Sequence, residues 1–310
     1  MERNAGGDGI GLIGTVTRDF INYQTGLVHQ GAGGILYQAA ALCGLGHRVH
    51  LHGNCGDDLR PEVEGLAAEW PTLRTDGLVS VPQPANQVNL FYPARGERVE
   101  ILESAVPPLE PESVVEASRG RRALLFTLNS GLEMTRAGWK SGLEAAACPV
   151  WLDIHSLVLE PVLGRPRRYR PVADWPSWVR GVKWLQANRR EIGCLAGRPG
   201  RSASAAEIRA FARRAFALGI AALFVTLGDE GAMVLSPDRA DAVAAPAPAG
   251  PIVDVTGCGD VFAAAALSRL LEGASPAGAA SSAVDLAARA ATVCGPRAVY
   301  GLAAAARSRP

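Results

Sequence analysis

Residues 254–271 read Asp254-Val-Thr-Gly-Cys-Gly-Asp260-Val-Phe-Ala-Ala-Ala-Ala-Leu-Ser-Arg-Leu-Leu271. Two glycines flank Cys258 just before an apolar, alanine-rich run that predicts a helix. Consecutive backbone N–H groups at a helix N-terminus make an anion-binding nest. An aspartate in the same place cannot itself bind phosphate, because like charges repel. It can accept the proton of a hydroxyl that attacks a phosphoryl group held in the nest. Asp260 could instead serve only as the helix N-cap. The company of Asp254, Thr256 and the Gly-x-Gly set favours the chemical reading.

Outward from this segment, the chain from residue 120 alternates strand and helix. Residues 123–128, 150–154, 182–186 and 222–227 predict strands. Residues 133–147, the stretch after Asn188, and residues 205–218, 261–271 and 276–293 predict helices. Such alternation implies an α/β fold, a mostly parallel sheet with helices on both faces. Nearer the N-terminus, residues 9–16 predict a buried strand and residues 17–22 its polar exit. Residues 31–34 predict a loop and residues 35–45 a helix. Residues 49–52 predict a strand, 53–58 a turn and 61–69 a helix. Residues 78–103 break this rhythm. Leu78-Val-Ser-Val, Gln87-Val-Asn-Leu-Phe-Tyr and Arg98-Val-Glu-Ile-Leu are β-rich and separated by Pro-rich and Ala94-Arg-Gly turns, which predicts a small inserted antiparallel sheet. Residues 161–176, rich in Pro and Arg, predict a loop.

Composition narrows the chemistry. Of 310 residues, 31 are basic and 30 acidic, a net charge of +1 that argues against nucleic acid or a membrane surface as partner. Lys140 and Lys183 are the two lysines. Neither sits in a P-loop, since Trp139 stands where the glycine before Lys140-Ser141 would have to be. Phosphate, if handled, is handled largely without lysine. Six cysteines without a C-x-x-C pair argue against a disulfide framework or a structural zinc, so a cytoplasmic setting is expected. The polar start and the lack of a long bulky apolar run predict neither a signal peptide nor a membrane span. Gly9-x-Gly11-x-x-Gly14 matches a dinucleotide fingerprint but falls inside the predicted strand rather than after it, so close-packed strand glycines are the better reading.

Four segments, in order, carry a family resemblance. Asp254-Val-Thr-Gly-Cys-Gly-Asp260 resembles the signature of the ribokinase-like, phosphofructokinase-B-type carbohydrate kinases. The run from Gly31-Ala-Gly-Gly-Ile-Leu-Tyr-Gln through Leu45-Gly46 to Gly56-Asp57-Asp58 resembles their N-terminal glycine signature. Asn188-Arg-Arg-Glu191 resembles an Asn-x-x-Glu motif, and Thr226-Leu-Gly-Asp-Glu-Gly231 a nucleotide-site turn. The resemblance spans about residues 9–300. It implies one ribokinase-like domain over residues 1–310, a three-layer α/β fold with a small β-sheet lid contributed by about residues 17–30 and 78–104.

It further implies an ATP-dependent kinase acting on a hydroxyl of a small sugar or sugar-like molecule. Asp260 falls on the catalytic base, and Gly257, Cys258 and Gly259 on the anion hole. Asn188 and Glu191 fall on residues that organise Mg2+ and its waters, with a capped, solvated helix start as the alternative for this pair. Thr226, Gly228 and Gly231 fall beside the nucleotide. Asp254 and Thr256 match the region where many members bind a monovalent cation, which makes K+ a candidate activator. Asp19, Gly33, Gly34, Tyr37 and Asn129 fall on the substrate side. The lid often forms the dimer contact, so a homodimer through it is a candidate assembly.

Several positions depart from the family pattern. Cys258 replaces the usual alanine, Tyr37 a common asparagine, and Asn129 the glutamate of ribokinases. Asp153-Ile-His155 replaces Asp-x-Asn, and Val158 stands where keto-acid sugar kinases carry arginine. All but the first lie on the substrate side and leave substrate identity open. A nucleoside kinase, with Tyr37, Phe91 or Tyr92 stacking on a base, is the near alternative. A catalytically silent metabolite-binding protein is the distant one. Arg165, Arg167, Arg168 and Arg170 predict a solvated basic loop rather than an anion site.

Overall fold

Short runs of Ile, Leu, Val, Trp and Ala are too apolar to face water on either side, and nine segments gather into one sheet. The computed structural model describes residues 7–24, 28–93, 98–246 and 250–308. In chain order the strands are β1 (Ile10–Ile13), β2 (Val16–Tyr23), β3 (Val28–Gly34), β4 (Val49–Gly56), β5 (Leu73–Val81), β6 (Asn86–Tyr92), β7 (Val99–Ser104), β8 (Ala123–Thr127), β9 (Val150–Asp153), β10 (Trp184–Asn188), β11 (Ala222–Thr226), β12 (Ala232–Ser236) and β13 (Arg239–Val243). The large sheet runs β13-β12-β11-β10-β9-β8-β1-β4-β5, parallel except where β12 and β13 close one edge as a hairpin. Every residue of β1, β8 and β9 is buried, as a sheet covered on both faces requires.

The helices are α1 (Leu36–Gly44), α2 (Arg60–Glu69), α3 (Pro111–Ala117), α4 (Arg136–Ala145), α5 (Trp175–Val179), α6 (Arg189–Leu195), α7 (Ala205–Phe216), α8 (Cys258–Leu271), α9 (Pro276–Ala290) and α10 (Gly295–Arg307). One core joins the sheet to α1, α2, α8, α9 and α10, and a second joins its other face to α3 through α7. Helix α8 is buried nearly all round. Its Ala263–Ala266 run meets Ala279, Ala280 and Ala283 of α9, so small side chains set a close approach. Among the described residues no helix is long and apolar enough to cross a membrane.

A second sheet, β3-β2-β6-β7, stands apart with its own apolar patch of Ile21, Val88, Leu90 and Leu102. It differs from the expected insertion in three ways. Its central pair, β2 and β6, is parallel. Residues 17–22 and 31–34, expected as an exit and a loop, are strands that pair with each other, Thr17 opposite Gly33 and Asp19 opposite Gly31. Ladder bonds to a partner outweigh the poor strand propensity of three glycines. Residues 78–81, expected in the small sheet, extend β5 along the edge of the large one, where Leu78 is opposite Gly53, and the expected turn at 53–58 is strand as far as Gly56. A β-rich run does not reveal which sheet will supply its partner. The hairpin β12–β13 and helices α3, α5 and α10 carry weak local patterns and are additions to the expected elements. The turn at Ala94-Arg-Gly, residues 1–6 and residues 25–27 of the expected lid lie outside the described residues.

Candidate active site

The C-terminal ends of parallel strands are where ligands settle in open α/β sheets. Asp153 ends β9, Asn188 ends β10 and Thr226 ends β11, with Asn188 and Thr226 directly opposite in the ladder. Facing these ends is the N-terminus of α8. Gly257 caps it at φ +79°, and a Cβ there would lie 2.3 Å from the Tyr37 ring. Only glycine permits both the left-handed turn and this contact. Tyr37 itself is 3% exposed, so its ring acts as packing beneath the loop. The Cys258 N–H donates to the Val255 carbonyl at 3.3 Å, and the Gly259 carbonyl accepts from Gln186 Nε2 at 3.0 Å. Burial pushes the Cys258 thiol up to about 12, so it is no ready nucleophile.

Asp260, in the first turn of α8, is buried, and its Oδ1 has no hydrogen-bond partner. Burial, with Asp19 adding repulsion, raises its carboxyl to about 7 against the pull of Arg98. Asp19 projects from β2 of the small sheet, accepts from Thr17 Oγ1 at 2.6 Å and is raised to about 6 by burial. A Cβ on Gly33 would lie 1.9 Å from Asp19 Oδ2, so the bare backbone of β3 is what makes room for this carboxylate. Gly34 follows beside the Thr15 carbonyl. Asn129 is spent on backbone. It accepts from Thr15 N at 3.0 Å and donates to Thr15 O at 2.9 Å, clamping the end of β1 instead of offering its amide to a ligand.

Asn188 and Glu191 form a capping box. Asn188 Oδ1 accepts from the N–H groups of Arg190 and Glu191, each at 2.9 Å. Glu191 accepts from Asn188 N at 2.8 Å and from Asn188 Nδ2 at 2.6 Å. The capped helix start is therefore real, with Glu191 buried and Asn188 half-buried. Burial raises Glu191, with Asp260 adding to the rise, and raises Asp153 further beside both. Three buried carboxylates that repel one another suit a cation nearby. No cluster of three His, Cys, Asp or Glu among the described residues is arranged to ligate a metal directly. Glu191 and Asp153 are the residues that could hold Mg2+ here, through water, if it arrives on phosphate oxygens. Gly228 opens a short 3-10 turn after Thr226, and Gly231 leads into β12.

Asp254, the candidate monovalent-cation residue, is engaged by protein donors on both oxygens. Its Oδ1 accepts from the Tyr23 hydroxyl and from Thr256 N, the latter at 2.8 Å. Its Oδ2 accepts from Cys294 Sγ at 3.4 Å. Tyr92 OH meets Thr256 Oγ1 at 2.9 Å, and the Tyr23 and Tyr92 rings stack at 5.2 Å. The small sheet is thereby fastened to the loop that leads into α8. Sequence reasoning missed this clasp, as well as Gln186 and Arg98. A glutamine inside the apolar run Trp184-Leu-Gln-Ala was a usable signal, whereas nothing local marks the tyrosines. The basic loop is less solvated than expected, because the Arg167 side chain is wholly buried against Glu100.

The description "pfkB family carbohydrate kinase" matches residues 163–300. An uncharacterized sugar kinase of Archaeoglobus fulgidus is 24% identical over 234 residues, 75% of this chain and 86% of its own. The match to pfkB family carbohydrate kinases thus takes in the C-terminal part of the chain, where Asn188, Glu191, Thr226 and the Asp254–Asp260 segment lie. Among solved structures, the ribokinase of Giardia lamblia matches with a TM-score of 0.76 at 18% identity, over 98% of this chain and 99% of its own. An Arabidopsis thaliana ribokinase, solved with ribose and ATP, matches with a TM-score of 0.72 at 20% identity, over 96% and 99%. At these identities the likeness is one of fold, and it covers the small sheet as well as the large one.

Proposed function

We propose that this chain is an ATP-dependent kinase of the pfkB type acting on a small polyhydroxylated molecule, built as a single domain with the small sheet as its lid. The observation that carries the reading is Asp260, a buried carboxylate with a free oxygen and a pKa of about 7, set at the N-terminus of a 14-residue helix. A base poised near neutrality is what hydroxyl activation needs. Asp19 orients the substrate by accepting from its hydroxyls. The attacking hydroxyl gives its proton to Asp260 Oδ1 as its oxygen forms the new bond to the terminal phosphorus. The bond from that phosphorus to the bridging oxygen breaks, and its electron pair leaves with ADP. The N–H groups of Gly257 and Gly259, with that of Cys258 once it leaves the Val255 carbonyl, meet the charge on the transferring group. Mg2+, when bound with the nucleotide, offsets phosphate charge beside Glu191 and Asp153. Thr226, Gly228 and Gly231 lie along the nucleotide.

A sugar-like substrate is favoured over a nucleoside. Tyr37 is buried under Gly257, Tyr92 is stacked on Tyr23, and Phe91, opposite Asn22, lies on the face of the small sheet away from Asp19, so none is placed to stack on a base. Phe91 and Val99 are opposite one another on the small sheet and each 40% exposed, a patch that suits a homodimer through the lid. Asp260→Asn should lower kcat by at least ~10²-fold with the fold intact, as removal of a general base does. The assay is ADP release across a panel of polyols, sugars and nucleosides. Unchanged turnover in that variant sinks the assignment, and transfer to nucleosides alone would replace the sugar reading with the nucleoside one.

A further inference from the structure

We propose that Arg98 is a catalytic residue of this site, the cation that meets the transferring phosphoryl group; the proposal rests on the kinase reading above. Arg98 immediately precedes β7 of the small sheet, and its Nη2 lies 3.2 Å from Glu100 Oε2. Glu100 is itself fixed, since its Oε1 takes Arg167 Nη1 at 3.0 Å. Arg167 cannot serve a ligand, because its remaining donors go to the carbonyls of Glu160 at 2.8 Å and Ser130 at 2.7 Å. On its other side Arg98 lies beside Tyr92, whose hydroxyl is 2.9 Å from Thr256 Oγ1, one residue before Gly257. The guanidinium is thus flanked by Glu100 and Tyr92, yet 37% of its side chain stays open. It is close enough to Asp19, Glu191 and Asp260 to lower the pKa of all three.

Charge explains what such an arginine is for. Asp19, Asp153, Glu191 and Asp260 make the reaction space acidic, and an incoming phosphoryl group adds negative charge to it. Neither lysine helps. Lys140 pairs with Glu144 on α4, and Lys183 lies over the Trp184 ring. A guanidinium offers a fork of donors to phosphate oxygens and stays charged throughout. Carried on the small sheet, it comes to the site together with Asp19, so acceptor binding and charge compensation are coupled. Glu100 acts as a positioning residue through it.

The test compares wild type with Arg98→Ala, Arg98→Gln and Arg98→Lys in the ADP-release assay, with circular dichroism to verify folding. Arg98→Ala and Arg98→Gln should each lose ~10²-fold or more in kcat, the scale of a lost transition-state donor, with the acceptor KM little changed. Added guanidinium should restore part of the rate to Arg98→Ala. The acid limb of its kcat/KM profile should move to higher pH, because Arg98 no longer holds Asp260 down. Arg98→Lys should fall between. Wild-type kcat in a folded Arg98→Gln, or no rescue together with an unmoved pH profile, overturns the proposal and leaves the kinase reading standing. Calorimetric binding of Mg2+-tripolyphosphate separates the two ideas further. If wild type transfers to no acceptor yet binds tripolyphosphate more tightly than Arg98→Gln, the anion contact stands and the kinase reading falls. Equal binding by both overturns the anion contact.

Discussion

Both oxygens of Asp254 are engaged. With Tyr23, Thr256 and Cys294 as its donors and 2% exposure, the carboxylate is held by hydrogen bonds within the protein. Replacing K+ by tetramethylammonium should therefore leave the steady-state rate unchanged, and a dependence on K+ would show that the Tyr23 hydroxyl yields its place during turnover. The same residue shows what a sequence does and does not disclose. Asp254 and Asp260 were recognisable because their chemistry is written in a contiguous signature with glycines between them. That Asp254 would meet Tyr23, 231 positions away, was not, since only the closed tertiary structure brings a phenol there. Asn129 is a related case. The family resemblance puts it on the substrate side, but the Thr15 backbone takes both ends of its amide.

At the scale of elements, the tyrosine clasp joins the small sheet to the loop before α8. Each hydroxyl bond is worth ~1 kcal/mol, and Thr256 N still donates to Asp254 Oδ1 when the Tyr23 bond is lost. Tyr23→Phe combined with Tyr92→Phe should speed amide hydrogen exchange in residues 16–23, 86–92 and 99–104 while the strands of the large sheet stay protected. Unaltered exchange in the small sheet would mean that the clasp does not hold it. The parallel strands and flanking helices of the large sheet were legible because their apolar runs are long and locally decided, as in β8 and α8. The small sheet was legible only as β-rich sequence. Its strand partners, and the loss of residues 78–81 to β5, follow from long-range pairing that no local window contains.

Across the whole molecule, the cost of gathering buried carboxylates should be visible in the pH dependence of stability. Asp19 and Asp260 titrate near 6 and 7, and Asp153 and Glu191 are raised as well, all above their unfolded values. The folded state then binds more protons than the unfolded state, so stability falls as pH rises through these folded pKa values. The buried histidines work the other way, since His52 and His155 are held neutral near 4 and 3, but their effect ends once unfolded histidine is neutral, above about pH 6.5. Between about pH 6.5 and 8 the carboxylates therefore act without that opposition. The ligand-free protein should lose thermal stability across this window, and Asp260→Asn should flatten the loss because the uncharged amide does not titrate. Mg2+ with ATP, by placing positive charge beside Glu191 and Asp153, should raise Tm more at pH 8 than at pH 6.5. Melting curves at the two pH values, with and without nucleotide, decide the matter. A wild-type Tm that is flat or rises over the window would mean that these carboxylates are not buried together in the folded chain.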